Sequence, residues 1–457
     1  MAVFNVSVIK FYFKNICEFL LEFLFIRVLF VALSILFYLI CLHIAQNRYK
    51  AVGLLLKCQK ILSEFQAGII GNFIDRYCNK VCLTKTDELF DSYFKSSKSK
   101  RYRAEFCRYG KSYASRIKFP KKVDDVVRQG DLIVLKPYLC NREKGVLLIK
   151  YNDSFERFLA LFDLKKISKM YRIVLEPSTW GYQDVALGLF RGLNTDVIVQ
   201  AQCEEDFDYI KGIKDNLIPI RIGAGDWGDA DLFTRGVKEK KYDVIMVASW
   251  QLLKRHKLFF TALSKIKPYL TRVCLVGYPT EGRTKNDIIT DAKTIGVNDL
   301  IDIFENITPV QVARKISMSK ISVMLTKREG ASKVIYESLF CDVPVLLSNK
   351  NRGVNRAIIN SQTGTLSSDK NLANNILRMT DNYKCFSPRD WAIENTGYLN
   401  SFERLNNLIK EISIENEEKW TQNLFMKKNA PNPIYVKDKE RLLADQEFLV
   451  LEKLLVC

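Results

Sequence analysis

From about residue 130 to residue 380 the chain alternates short apolar, β-branched runs with stretches of helical period, and this alternation limits its fold more than any other feature. Strands joined through a helix run parallel, because a crossover of that length cannot be a hairpin. The first set of runs is DLIVLKP (131–137), GVLLIKY (145–151), YRIVLEP (171–177), DVIVQAQ (196–202) and LIPIRIG (217–223). The second is YDVIMVAS, RVCLVG, DLIDIFEN, KISVMLT and VPVLLS, separated by RHKLFFTALSKIK, TKNDIITDAKTIG, TPVQVARKISMS and KVIYESLFC. Between the sets, IGAGDWGDADLFTRGVKEKKYD is rich in glycine and then in charge, as a linker would be. The expectation is an α/β protein of two doubly wound, Rossmann-like units facing a cleft, over 126–235 and 236–385, with a helical extension over 386–457. A hydrophobic content of 48% over 457 residues is enough to bury that many cores.

The segment KREGASKVIYESLFCDVPVLLS (327–348) carries the most specific chemistry. A strand enters a tight turn at Glu329 and Gly330, followed by the small residues Ala331 and Ser332, a short helix and a further strand. Unpaired N–H groups at such a helix start favour a phosphate, and small residues let it come close. Glu337 lies within the helix, where a carboxylate can accept two hydrogen bonds from a ribose diol. Glu329, at the strand end, would face the other part of the same ligand. Two glutamates at this spacing are more often solvated helix charges; the strand, the glycine turn and the following Pro344 and Val345 favour a site.

These residues resemble the signature of the retaining group 1 (family 4) glycosyltransferases of the GT-B architecture. In that signature two glutamates are separated by seven residues, here Glu329 and Glu337, and Pro-Val follows, here Pro344 and Val345. The similarity extends over 220–380. Asp229 and Phe233 stand where the family's linker motif has Asp and Phe, and VASWQLLKRHKLFFTAL resembles the segment whose basic residues grip the donor diphosphate. Arg255 matches the family's lysine, with Lys254 beside it, and Gly277 resembles a glycine that admits the nucleotide close to the backbone.

The resemblance implies transfer of a sugar from a nucleotide-sugar donor to a glycan or lipid-linked acceptor with retained configuration. The C-terminal unit would bind the donor and the N-terminal unit the acceptor. Arg255 and Lys254 would serve the diphosphate and Glu329 the sugar, while Gly277, Gly330, Ala331, Ser332 and Glu337 would hold the donor. Loops carrying Asp153, Trp180 and Tyr182 are the acceptor candidates. The chain departs from the family at Trp250, where an arginine is usual, and at NKNRGVNRAI, where a glycine pair and an acid are usual. The N-terminal unit has no histidine and no glycine-rich loop after GVLLIKY, which keeps a non-catalytic nucleotide-sugar-binding scaffold as an alternative.

No cofactor or metal is expected beyond the donor itself. Asp229-Ala230-Asp231 spells a DxD, but in a glycine-rich linker, and cations with helix amides can stabilise a leaving diphosphate unaided. Two histidines and twelve scattered cysteines offer no zinc set, and the cysteines read as free thiols of a reducing compartment.

The chain start points to a membrane. Eighteen residues from Val28 to Ala45 carry no formal charge, about the minimum for a spanning helix. Before them, Lys10, Lys14, Glu18 and Glu22 fall on one stripe of an otherwise apolar helix, suited to the interface. Residues 1–46 are therefore expected to anchor the chain once, and 47–125 to form a helical basic juxtamembrane region. The net charge is +19, and Lys95 to Lys122 hold eleven Lys or Arg against Glu105 alone. With Tyr102, Phe106, Tyr109, Tyr113 and Phe119 interleaved, this stretch suits an anionic membrane surface. A nucleic acid is the less favoured partner. Positive charge on both sides of the span only weakly places the body in the cytoplasm.

Overall fold

The computed structural model describes residues 49, 86–109, 132–177, 185–213, 215–236, 239–327, 329–330, 332–429 and 433–456. The expected anchor over 1–46 lies outside them, as do most of 47–85 and the basic residues beyond 109. Among the described residues no helix is long and apolar enough to cross a membrane.

All ten strands expected from the sequence form. In the first unit they are β1 (Leu132–Lys136), β2 (Gly145–Lys150), β3 (Tyr171–Glu176), β4 (Val197–Gln200) and β5 (Leu217–Ile220). Helices α1 (Thr86–Lys95) and α2 (Ser97–Tyr109) precede them, and α3 (Asn152–Leu161), α4 (Leu164–Met170), α5 (Val185–Leu189) and α6 (Glu204–Ile213) are interleaved. The stretch SFERFLALFDLKKISK divides into α3 and α4, because the Asp163 carboxylate accepts a hydrogen bond from the Lys166 N–H and starts a new helix.

The sheet order is β1-β2-β3-β4-β5, with β1 antiparallel to β2 and the other pairs parallel. A doubly wound unit was expected here, but this order never reverses, so the parallel crossovers from β2 to β5 all advance in one direction. Further cover comes from the C-terminal segment. Helix α13 (Tyr398–Glu415), the hairpin β12 (Lys427–Asn429) with β13 (Pro433–Tyr435), and α14 (Asp438–Glu452) contribute Leu405, Ile409, Tyr435, Phe448 and Leu451 to the same core as β1–β4, joined by Phe425 just before the hairpin. The fully buried Arg172 of β3 ties them in, donating to Ser413 Oγ at 2.9 Å and pairing with Glu418 at 2.7 Å. The segment read as a helical extension therefore includes a hairpin and completes the N-terminal unit.

Part of the basic stretch is also absorbed into this unit. Helix α2 packs on α3 with Tyr102 buried, Lys98 paired to Glu156, and Arg103 Nε donating to Ala160 O at 3.2 Å. Tyr102 is thus a packing residue rather than one offered to lipid or base.

The second unit contains β6 (Tyr242–Val247), α7 (His256–Ile266), β7 (Val273–Gly277), α8 (Lys285–Ile295), β8 (Ile301–Glu305), α9 (Pro309–Ser317), β9 (Ser319–Met324), α10 (Lys333–Phe340), β10 (Val345–Ser348), β11 (Gly364–Ser367), α11 (Leu372–Asp381) and α12 (Pro388–Asn395). Local chemistry sets the helix ends. Thr308 caps α9 with Pro309 at its first position, and Gly296 closes α8 in the left-handed conformation.

The sheet order is β11-β10-β9-β6-β7-β8, parallel throughout. Both faces are covered: Val273 and Leu275 of β7 face one core, Cys274 and Val276 the other. The order reverses between β6 and β9, so the crevice for a ligand opens at the carboxyl ends of those two strands.

Candidate functional site

The loop after β6 carries Trp250, Lys254 and Arg255; the loop after β9 carries Glu329 and Gly330. Because β6 and β9 are hydrogen-bonded neighbours, residues 75 apart in sequence meet: Lys254 Nζ lies 2.7 Å from Glu329 Oε2. Arg255 has a left-handed backbone, φ 63°, between a 3-10 turn and α7. Its guanidinium donates from both terminal nitrogens to Asp369, at 3.0 and 2.8 Å, and from Nη1 to Leu325 O at 3.1 Å. Among the described residues these bonds use three of its five N–H groups and orient the fork. The hydrogen bonds from Arg255 hold the Asp369 carboxyl below its ordinary range, and Lys350 adds to this from 3.3 Å. Asp369 carried no recognisable sequence signal, because β11, the strand that leads to it, was not foreseen; Lys350 lies in NKNRGVNRAI, where the sequence showed only a departure from the family pattern.

The NKNRG loop, a departure from the family pattern, braces the motif. Arg352 N donates to Lys327 O at 2.9 Å, Glu329 N donates to Arg352 O at 3.0 Å, and Asn351 Nδ2 reaches Thr326 O at 2.8 Å. At the start of α10 the Ser332 hydroxyl donates to Met324 Sδ at 3.2 Å and does not cap the helix. Gly330 is buried beside it, while Ala331 lies outside the described residues.

Trp250 is fully buried, and its Nε1 donates to Glu305 at 2.7 Å. A Cβ on Gly277 would stand 2.3 Å from Ala248 O and 2.5 Å from the Trp250 ring. The missing side chain at 277 thus makes room for the indole, and the pair replaces the open glycine that the resemblance implied. Asp229 and Asp231 share an ammonium neighbour: Lys428 lies 2.8 Å from Asp229 and 4.0 Å from Asp231, and Tyr398 OH donates to Asp231 at 3.1 Å. Among the described residues no group of three or more His, Cys, Asp or Glu is placed to hold a metal.

Glu337 is buried in α10 beside Lys333, which lies at the seam between the units with Lys150 and Glu176 as neighbours. Burial pushes its carboxyl up to about 7 against the pull of Lys333, one turn earlier in α10. Burial draws Lys333 down to about 8, and Lys150 adds to this. Lys150 and Glu176 end β2 and β3 and lie 3.3 Å apart, and Lys427 of β12 lies 3.6 Å from the second Glu176 oxygen. Burial draws Lys427 down to about 7, opposed by Glu176. Sequence reasoning missed these five as a group. The only available signal was a charge closing each apolar run, in GVLLIK and YRIVLE. Of the acceptor candidates, Asp153 lies in the first turn of α3, while Trp180 and Tyr182 fall outside the described residues.

No curated protein matches the chain. Among solved structures, it is similar to sucrose-phosphate synthase from Thermosynechococcus elongatus, with 15% identity, 59% of this chain and 74% of that chain covered, and a TM-score of 0.47. HepE of Anabaena, solved in complex with UDP and glucose, gives 14%, 58%, 77% and 0.46 in the same order. A TarM variant of S. aureus gives 14%, 57%, 55% and 0.45, so the chain spans about half of that protein's length. Residues 229–395, the end of the linker and the second unit, match the family model described as glycosyl transferases group 1.

Proposed function

We propose that the chain is a glycosyltransferase that moves a sugar from a nucleotide-sugar donor to a glycan or lipid-linked acceptor with retained anomeric configuration. The observation that carries this reading is the meeting of Lys254, Arg255, Glu329 and the start of α10 at the strand-order reversal of the second unit. The family match over 229–395 spans the same residues and supports it. Two cations and the uncapped amides of α10 suit a diphosphate that gains charge as it leaves. Asp369 aims the Arg255 fork, and Glu329, steadied by Lys254, would accept from sugar hydroxyls beside the phosphate. Glu337 would accept from the ribose diol, and the acceptor would enter from the first unit, with Asp153, Trp180 and Tyr182 as contacts. Attack then occurs on the face from which the nucleoside diphosphate departs, where one set of donors serves the leaving oxygen throughout.

Purified chain tested against a panel of nucleotide sugars is expected to release one nucleoside diphosphate, with the product anomer, read by NMR, matching the donor. Binding without release would support the scaffold reading, and an inverted anomer would remove the retaining one. Activity is also expected to survive EDTA, since Lys428 and Tyr398 already engage the two linker aspartates. Loss on chelation with recovery on manganese would return them to the role of ligands. Single-pass attachment to a membrane through 1–46, aided by the basic residues up to 122 and with the body in the cytoplasm, completes the proposal. Sedimentation of the full chain with membranes tests it, and a freely soluble full chain would refute it.

A further inference from the structure

Among the described residues, the Lys427 ammonium is fully buried and makes no hydrogen bond. It lies 3.6 Å from Glu176 and 3.9 Å from the centre of the Trp227 ring, with one Glu176 oxygen also unsatisfied. A buried ammonium whose one carboxylate neighbour stands at 3.6 Å is costly, and five buried or half-buried charges held only for stability would be better matched or replaced by apolar groups. The charges here do not match. Lys150, Lys333 and Lys427 stand against Glu176 and Glu337, three positive against two negative, so one positive charge is uncompensated at ordinary ionisation.

Three parts of the chain bring the group together. Lys150 and Glu176 occupy the carboxyl ends of parallel strands, the usual ligand edge of such a sheet. Lys333 begins α10, whose first-turn amides favour an anion. Lys427 comes from the returning C-terminal segment, held along the linker by Asn429 Nδ2 donating to Ala224 O at 2.9 Å. Burial opposes the charge of Lys150, yet Glu176 and Tyr151 together outweigh it and raise its pKa, which leaves Lys427 as the cation least provided for.

We propose that Lys427, flanked by Lys150 and Lys333, is an anion subsite that receives a phosphoryl oxygen of the donor diphosphate, so that the C-terminal return segment takes part in donor binding. This deepens the donor reading and rests on it. A phosphorylated acceptor would present the same chemistry, and the experiment separates the two sources.

The full chain is titrated calorimetrically with UDP, GDP and ADP, with the matching nucleosides and with inorganic phosphate. Wild type is compared with Lys427→Met and with the double variant Lys427→Met, Glu176→Gln, which removes both charges of the pair and protects against failure to fold. Both variants are expected to bind the preferred nucleoside diphosphate about tenfold more weakly, the loss of one charge-assisted hydrogen bond, with nucleoside affinity unchanged. Wild-type affinity in the double variant would mean that Lys427 only neutralises Glu176, and would overturn the subsite. Unchanged diphosphate affinity with lost inorganic phosphate binding would overturn the donor assignment in favour of a phosphorylated acceptor. Diphosphate binding that responds to Arg255→Ala but to neither Lys427 variant would remove the subsite and leave the donor reading intact. A wild-type chain that binds none of the three diphosphates would remove both.

Discussion

Glu329 and Glu337 are joined in one sequence motif but have different electrostatic company. Glu329 is partly exposed and held by Lys254, whereas Glu337 is buried beside Lys333. Glu329→Gln should therefore lower kcat more than donor affinity, because it acts beside the carbon that becomes positive. Glu337→Gln should mainly weaken donor binding, by about 1.5–3 kcal/mol for a lost charge-assisted bond. Equal binding and rate for wild type and both variants would reduce the pair to bystanders. The buried carboxyl also has a pH signature. Its folded pKa, about 7, is above its ordinary 4.5, so the stability it confers is complete below pH 4.5 and is lost as pH rises through 7. The melting temperature of Glu337→Gln relative to wild type should accordingly rise between pH 5 and pH 8; a constant difference would contradict the buried carboxyl. At this scale the sequence revealed the glutamates and both cations through their spacing. It did not reveal Asp369 or Lys427, whose roles depend on neighbours more than a hundred residues away.

The elements meet through small residues. Helix α10 packs on the linker turn Ala224–Trp227, and Cβ atoms on Gly225 and Gly228 would stand 2.3 Å from the Tyr336 ring and 2.8 Å from the Phe340 ring. On the other side of the same sheet end, Gly277 admits Trp250. Gly225→Ala and Gly277→Ala should each cost about 1–3 kcal/mol by overpacking, read as a shifted urea midpoint with unchanged slope. If Gly277 served only to admit a nucleotide, its variant would be as stable as wild type and would lose only donor affinity. The strands and most helices of both units were legible because apolar runs and helix caps are local. The unreversed sheet order of the first unit was not, since identical alternation serves either winding and the choice depends on cover from α13, α14 and the hairpin. Strand β11 escaped because GTLS, half of it polar, is too short to show a period.

Across the whole molecule the chain crosses between units twice, at the linker and again before α13. Asp226 joins the crossings: it accepts from Gly223 N at 2.7 Å and from Thr396 Oγ1 at 2.7 Å. The C-terminal segment thereby lies against both the first core and the seam, which is how Lys427 comes to face α10. A donor bound at the second unit would touch three regions far apart in sequence: the loop after β6, the loop after β9 with the first turn of α10, and β12. Hydrogen exchange of the full chain, with and without a saturating nucleoside diphosphate, reads all three in one experiment. Slowed exchange is expected in peptides covering 248–256, 327–340 and 425–429. Protection confined to the basic helix at 97–109, with residues 327–340 unchanged, would contradict a nucleotide-sugar site at the carboxyl end of the second sheet.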